Sequence, residues 1–109
     1  MNNKKVSLLE AIEKLKLEAK KPFTLLMKHG TMSVEYFAPQ QSDTQTAHQQ
    51  DELYVIARGH GQCNRQQEII ECKAGDVLFV PAGMEHRFEN FTDDFATWVI
   101  FYGPISGES

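Results

Sequence analysis

The stretch GDVLFVPAGMEHRFEN, Gly75 to Asn90, decides how the rest of the chain is read. Asp76–Val80 is an apolar run without alternation, which predicts a strand covered on both faces. Pro81-Ala82-Gly83 then turns the chain. Beyond the turn the pattern alternates: His86, Phe88 and Asn90 share one parity, Arg87 and Glu89 the other. Charged residues belong outside, so His86 is expected inside with Phe88. A buried imidazole needs a partner for its ring nitrogens, either a hydrogen-bonding group or a metal.

Around this stretch lie other short strand-like runs. They are FTLLMKHG, TMSVEYFAP, ELYVIARG, GQCN, EIIEC and FATWVIFY, punctuated by Gly, Pro and polar turns. That texture predicts an antiparallel sandwich or barrel rather than βαβ units. Ahead of them, Ser7 and Glu10 form a capping-box pattern, with Leu8, Leu9, Ile12 and Leu15 at helical spacing behind it. The expected organisation is a helical segment over 1–22 packed on the domain, one barrel domain over 23–103, and a flexible tail over 104–109.

The 109 residues fit one domain, and 41% hydrophobic content is enough for a core. A formal net charge of −4 with no Lys/Arg run disfavours nucleic acid as a partner. No apolar run approaches the ~20 residues that span a bilayer, and the N-terminus lacks the features of a secretory signal. A soluble cytoplasmic protein is therefore expected. Cys63 and Cys72, without a CxxC partner, read as plain thiols in or near strands. A homodimer is expected, because pairing covers open sheet edges.

A second polar constellation is HQQDELYVIARG, in which His48 and Glu52 are four residues apart. In an extended chain that even spacing puts both on one face. With His86 they have the composition of a two-His-one-carboxylate metal site. A hydrogen-bonded pair or a solvated loop accounts for the same residues. His60 and His29 have no motif behind them and are expected to face solvent.

The spacing of Gly75, five residues, Pro81, one residue, Gly83, two residues, His86, three residues, Asn90 resembles the second motif of the cupin superfamily at every fixed position. His48, three residues, Glu52, six residues, Gly59 is similar to the latter half of the first cupin motif. The resemblance covers roughly residues 30 to 102. It implies an all-β fold: a cupin-like double-stranded β-barrel, or jelly roll, with the short N-terminal helix added. It also implies a metal site at one mouth with His48, Glu52 and His86 as ligands. The first motif departs from the family pattern. Thr46 stands where a further histidine is usual, and Gln40 where its leading glycine is usual.

Thr46 and Asp51 are accordingly candidates for an additional position at the site. Tyr54, Ile56, Phe88 and Trp98 are expected to line the pocket by parity, with Phe101, Met32 and Tyr36 as further candidates and plain barrel core as the alternative for each. Gly59, Gly75, Pro81, Gly83 and Asn90 read as residues of the backbone motif. The cofactor implied is one divalent metal ion, with Fe, Mn, Ni, Zn and Cu all compatible with the ligand types. Open coordination positions would suit a metal-dependent enzyme, of dioxygenase or isomerase type, acting on a small organic molecule. The alternatives are a non-catalytic cupin module that binds a small ligand or metal, and a metal-free barrel with hydrogen-bonded histidines. The sequence does not choose between catalysis and binding.

Overall fold

In the computed structural model, which describes residues 4–18 and 20–109, one helix precedes eight strands. Helix α1 spans Leu8–Leu17. The strands are β1 (Phe23–His29), β2 (Met32–Phe37), β3 (Asp51–Arg58), β4 (His60–Arg65), β5 (Glu68–Lys73), β6 (Val77–Val80), β7 (His86–Glu89) and β8 (Ala96–Tyr102). They form two antiparallel sheets, one in the order β1-β2-β8-β3-β6 and the other β5-β4-β7. Among the described residues the two ladders are separate and do not close into one hydrogen-bonded ring.

The core lies between the sheets. Phe37, Tyr54, Ile56, Cys63, Cys72, Val80, Phe88, Phe95 and Val99 form one buried cluster, drawn from both ladders. Ile56 and Phe88 are part of this packing. On the outer face of the larger sheet, α1 supplies Ala11, with Leu8, Ile12 and Leu15 beside it, against Leu26, Tyr36, Ala96 and Trp98. The helix begins as its sequence dictates: Ser7 Oγ accepts the Glu10 N–H, and the Glu10 side chain accepts the Ser7 N–H, both at 3.1 Å.

Two expectations need correction. The Asp76–Val80 run is not covered on both faces. β6 is an edge strand, and while Val80 is buried, Val77 and Phe79 are 61% and 43% exposed. Trp98 does not line the interior. It packs edge-on against Tyr36 beneath α1, with ring centroids 5.7 Å apart, because alternate residues of β8 face the helix while Val99 and Phe101 face the core. Residues 104–109 are hydrogen-bonded to the start of β3: Ser106 N–H donates to the Gln49 carbonyl at 2.8 Å, and Glu108 N–H to Asp51 Oδ2 at 2.9 Å.

Candidate metal centre

Two chain segments must meet for the site to exist, and the Pro81-Ala82-Gly83 turn joins them. Gly83 takes a left-handed φ of 79°, which glycine adopts without side-chain strain. Its N–H donates to the His48 carbonyl at 2.8 Å, and the neighbouring Ala82 N–H donates to Asp51 Oδ1 at 2.9 Å. The turn that launches β7 is thereby fastened at both ends of the segment from His48 to Glu52. Asp51 points away from Glu52 into this clamp, which holds its carboxyl below the usual carboxylate range through the Glu108 and Ala82 N–H groups.

His48, Glu52 and His86 then converge, with one ligand atom from each lying within 4.8 Å of the others. His86 opens β7 facing inward; Glu52 pairs with Val80 and Phe101 near the start of β3; His48 lies just before β3. Glu52 is fully buried, and its Oε1 is 2.8 Å from His86 Nε2. That contact is close, yet neither Glu52 oxygen has a hydrogen bond of sound geometry. His86 Nδ1 is 2.9 Å from the Met84 carbonyl, which can only accept, so Nδ1 carries a proton. His86 Nε2 thus faces a buried carboxylate oxygen, a contact satisfied either by a proton on Nε2 or by a cation held between the two atoms.

The two imidazoles titrate in opposite directions. Burial lowers the His48 pKa, aided by His86 and opposed by Glu52. Burial also acts to lower that of His86, but the close Glu52 carboxylate and the Met84 carbonyl, with the charge of Asp43, raise it on balance. A buried carboxylate lacking donors, beside two inward imidazoles, is a donor set that fits one divalent ion.

The surrounding residues divide between site and scaffold. Tyr54 is fully buried, and its hydroxyl is 2.9 Å from His86 Nε2 and donates to Gln45 Oε1 at 3.2 Å. Thr46 is exposed and lines a second concave surface together with Gln45, Asn64, His86 and Arg87. Asn90 has a φ of 50° and donates from its amide to Gln62 Oε1 at 2.8 Å. Gln45, which sequence reasoning did not select, is 3.1 Å from His48 Nε2 through Oε1, and nothing in a polar loop marks it out beforehand.

Beside His48 opens a cavity of about 640 Å³. Phe23, Phe37, Phe101 and Ile105 give it apolar walls, and Glu35 and Asp43 are its carboxylates; among the described residues no Lys or Arg lines it. Burial, with the charge of Glu52 in second place, raises the Glu35 pKa. The His48 and Phe101 rings meet at 4.9 Å, so the inner wall adjoins the ligand cluster.

The comparisons agree with this architecture. A family model described as a cupin domain matches residues 33–102. An uncharacterised protein of Streptomyces coelicolor is 32% identical over 82 residues, 73% of this chain and 78% of the relative. A cupin 2 conserved barrel domain protein from Rhodopseudomonas palustris superposes with a TM-score of 0.63 at 24% identity, over 80% of this chain and 67% of that one. KdgF from a Halomonas species superposes with a TM-score of 0.64 at 15% identity, over 72% and 74% of the two chains. At these identities the structural likenesses establish the fold alone.

Proposed function

This chain belongs to the cupin-domain family, and from that premise we propose that it binds one divalent metal ion through His48, Glu52 and His86 and presents it to a small organic molecule in the adjoining cavity. The observation that carries the reading is the fully buried Glu52 carboxylate, whose ligand atom lies within 4.8 Å of one from each of His48 and His86. Stranding a carboxylate in this way costs several kcal/mol without a counter-charge. When bound, the ion would supply Lewis-acid or redox chemistry at open coordination positions.

The chain's own residues narrow the ligand. The cavity has room for a molecule of modest size, its outer walls are apolar, and its charged side chains are carboxylates. Away from the metal position, the carboxylates Glu35 and Asp43 favour a neutral or cationic group of the ligand. A metal-dependent enzyme acting on such a molecule is the reading preferred over a non-catalytic module.

Elemental analysis of wild-type protein beside a His48→Ala/His86→Ala double variant tests the proposal. About one metal per chain in the wild type and none in the folded variant is the expected result. No metal in either, after reconstitution with Fe(II), Mn, Ni and Zn, overturns it. Turnover of a neutral or cationic substrate that disappears in the double variant assigns catalysis, whereas stoichiometric binding without turnover assigns a binding module.

The proposed homodimer rests on the open edge at β6 and the exposed Val77, Phe79 and Ile69. Sedimentation at micromolar concentration should give twice the 12.4 kDa chain mass, and only monomer would rule it out. No helix among the described residues is long and apolar enough to cross a membrane. The buried, unpaired Cys63 and Cys72 suit a reducing compartment.

A further inference from the structure

Resting on that metal reading, we propose that Gln45 supplies a fourth protein ligand to the centre through its side-chain oxygen, in the role that position 46 would otherwise fill. Four contacts carry the inference. Asp43 Oδ2 accepts the Gln45 amide at 2.6 Å and Asp43 Oδ1 accepts the Gln45 N–H at 3.0 Å. The amide is thus held with its nitrogen toward Asp43 and its oxygen toward the cluster. Gln45 Oε1 lies 3.1 Å from His48 Nε2 and 3.2 Å from the Tyr54 hydroxyl.

That hydroxyl is 2.9 Å from His86 Nε2, which is itself 2.8 Å from Glu52 Oε1. Gln45 therefore joins the same convergent group of atoms as the three residues with ligand spacing. A carbonyl oxygen has two lone pairs, so with His48 Nε2 unprotonated, as a ligand must be, Oε1 can accept from Tyr54 and still face a cation. Thr46, the next residue, is exposed and has no hydrogen bond to any member of the cluster. The segment presents Gln45 instead because Asp43 also accepts the buried Phe88 N–H at 2.8 Å, which anchors the loop over β7 and aims the residue two places later inward.

Co(II) titration, followed through its visible d–d absorption, tests the assignment. Wild type, Gln45→Ala, Gln45→Met, Thr46→Ala, His48→Ala and the Gln45→Ala/His48→Ala pair are compared, with circular dichroism as a check on folding. Gln45→Met retains side-chain bulk without the oxygen, in case Gln45→Ala does not fold. Loss of the oxygen is expected to weaken Co(II) by about tenfold or more and to change the shape of the absorption bands. Thr46→Ala should superpose on wild type. The weakening should persist in the His48→Ala background.

Unaltered bands with a weakening that vanishes once His48 is removed would show that Gln45 merely positions His48, and would overturn the proposal. Wild-type affinity in the Gln45 variants, or loss in Thr46→Ala instead, would overturn it as well. Wild-type protein that takes up no Co(II) is a different failure, that of the metal reading itself.

Discussion

Asp43 and Phe88 are joined by a 2.8 Å hydrogen bond from the Phe88 N–H to Asp43 Oδ2, across forty-five positions of sequence. β7 is an edge of the smaller sheet, so a backbone donor there has no further strand to satisfy it. Asp43, itself buried, fills that place and uses its remaining capacity on the Gln45 backbone and side chain. One carboxylate thus closes a sheet edge and shapes the loop that leads to His48.

Asp43→Ala should therefore cost more than a surface substitution. It strands a buried N–H on Phe88, a penalty of about 1–3 kcal/mol, or roughly 4–8 °C of melting temperature for each kcal/mol. Metal affinity should fall with it, because the loop carrying Gln45 and His48 loses its anchor. Thermal melts and Co(II) titration of the same preparation check both. An unchanged melting temperature would mean that the Phe88 N–H finds water without cost.

The metal ion should act as a stabiliser of the folded chain. A ligand that binds only the native state at about one hundred times its Kd adds about 2.7 kcal/mol. Melting of chelator-treated wild type with and without added Co(II) should show an upward shift that EDTA reverses. His86→Ala removes a ligand and should show none. An equal shift in both proteins would place the metal elsewhere.

How far the sequence foretold this arrangement depended on what each residue had beside it. His86 was legible because Arg87 and Glu89 declared the outer face of β7. His48 and Glu52 were legible because they and the turn residues matched a family pattern; the chain bends at Gln49 and Gln50 between them, so strand parity is not what unites them. Trp98 was misplaced because both faces of β8 are covered, one by the core and one by α1, so alternation carries no sign there. The Val77–Val80 run was misread because an edge strand kept Val77 and Phe79 apolar while facing solvent. Gln45 was invisible: among the glutamines of residues 40–50, only the Asp43 hydrogen bonds single it out, and those exist only after folding.

Two motif glycines should respond differently to the same substitution. Gly83 needs a positive φ but has open space where a Cβ would stand, so Gly83→Ala should cost about 1–2 kcal/mol from the left-handed backbone alone. Gly59 also needs a positive φ of 71°, and its Cβ would lie 2.9 Å from Phe95 Cα, with Thr92 and Asp94 side chains closer still. Gly59→Ala adds overpacking against backbone, for a combined cost of about 2–5 kcal/mol. Denaturant unfolding of the two variants should rank Gly59→Ala as the less stable, and the reverse order would refute the steric account.

The two thiols give a pH dependence at the alkaline end. Burial, followed by the charge of Cys72, pushes Cys63 up to about 12. Burial, followed by the charges of Asp76 and Glu71, pushes Cys72 up to about 11. An unfolded thiol titrates near 8.5, so the folded state favours the neutral form of both. That contribution is fully present below about pH 8.5 and is lost as pH rises toward 11–12. Melting temperature should therefore fall above pH 9, and less steeply when both cysteines are replaced by alanine. The same burial keeps thiolate scarce, so native-state alkylation at pH 8 should run more than about a hundredfold slower than in denaturant. Alkylation at the denatured rate without unfolding would show that Cys63 and Cys72 are reached by solvent, contrary to their burial in the core.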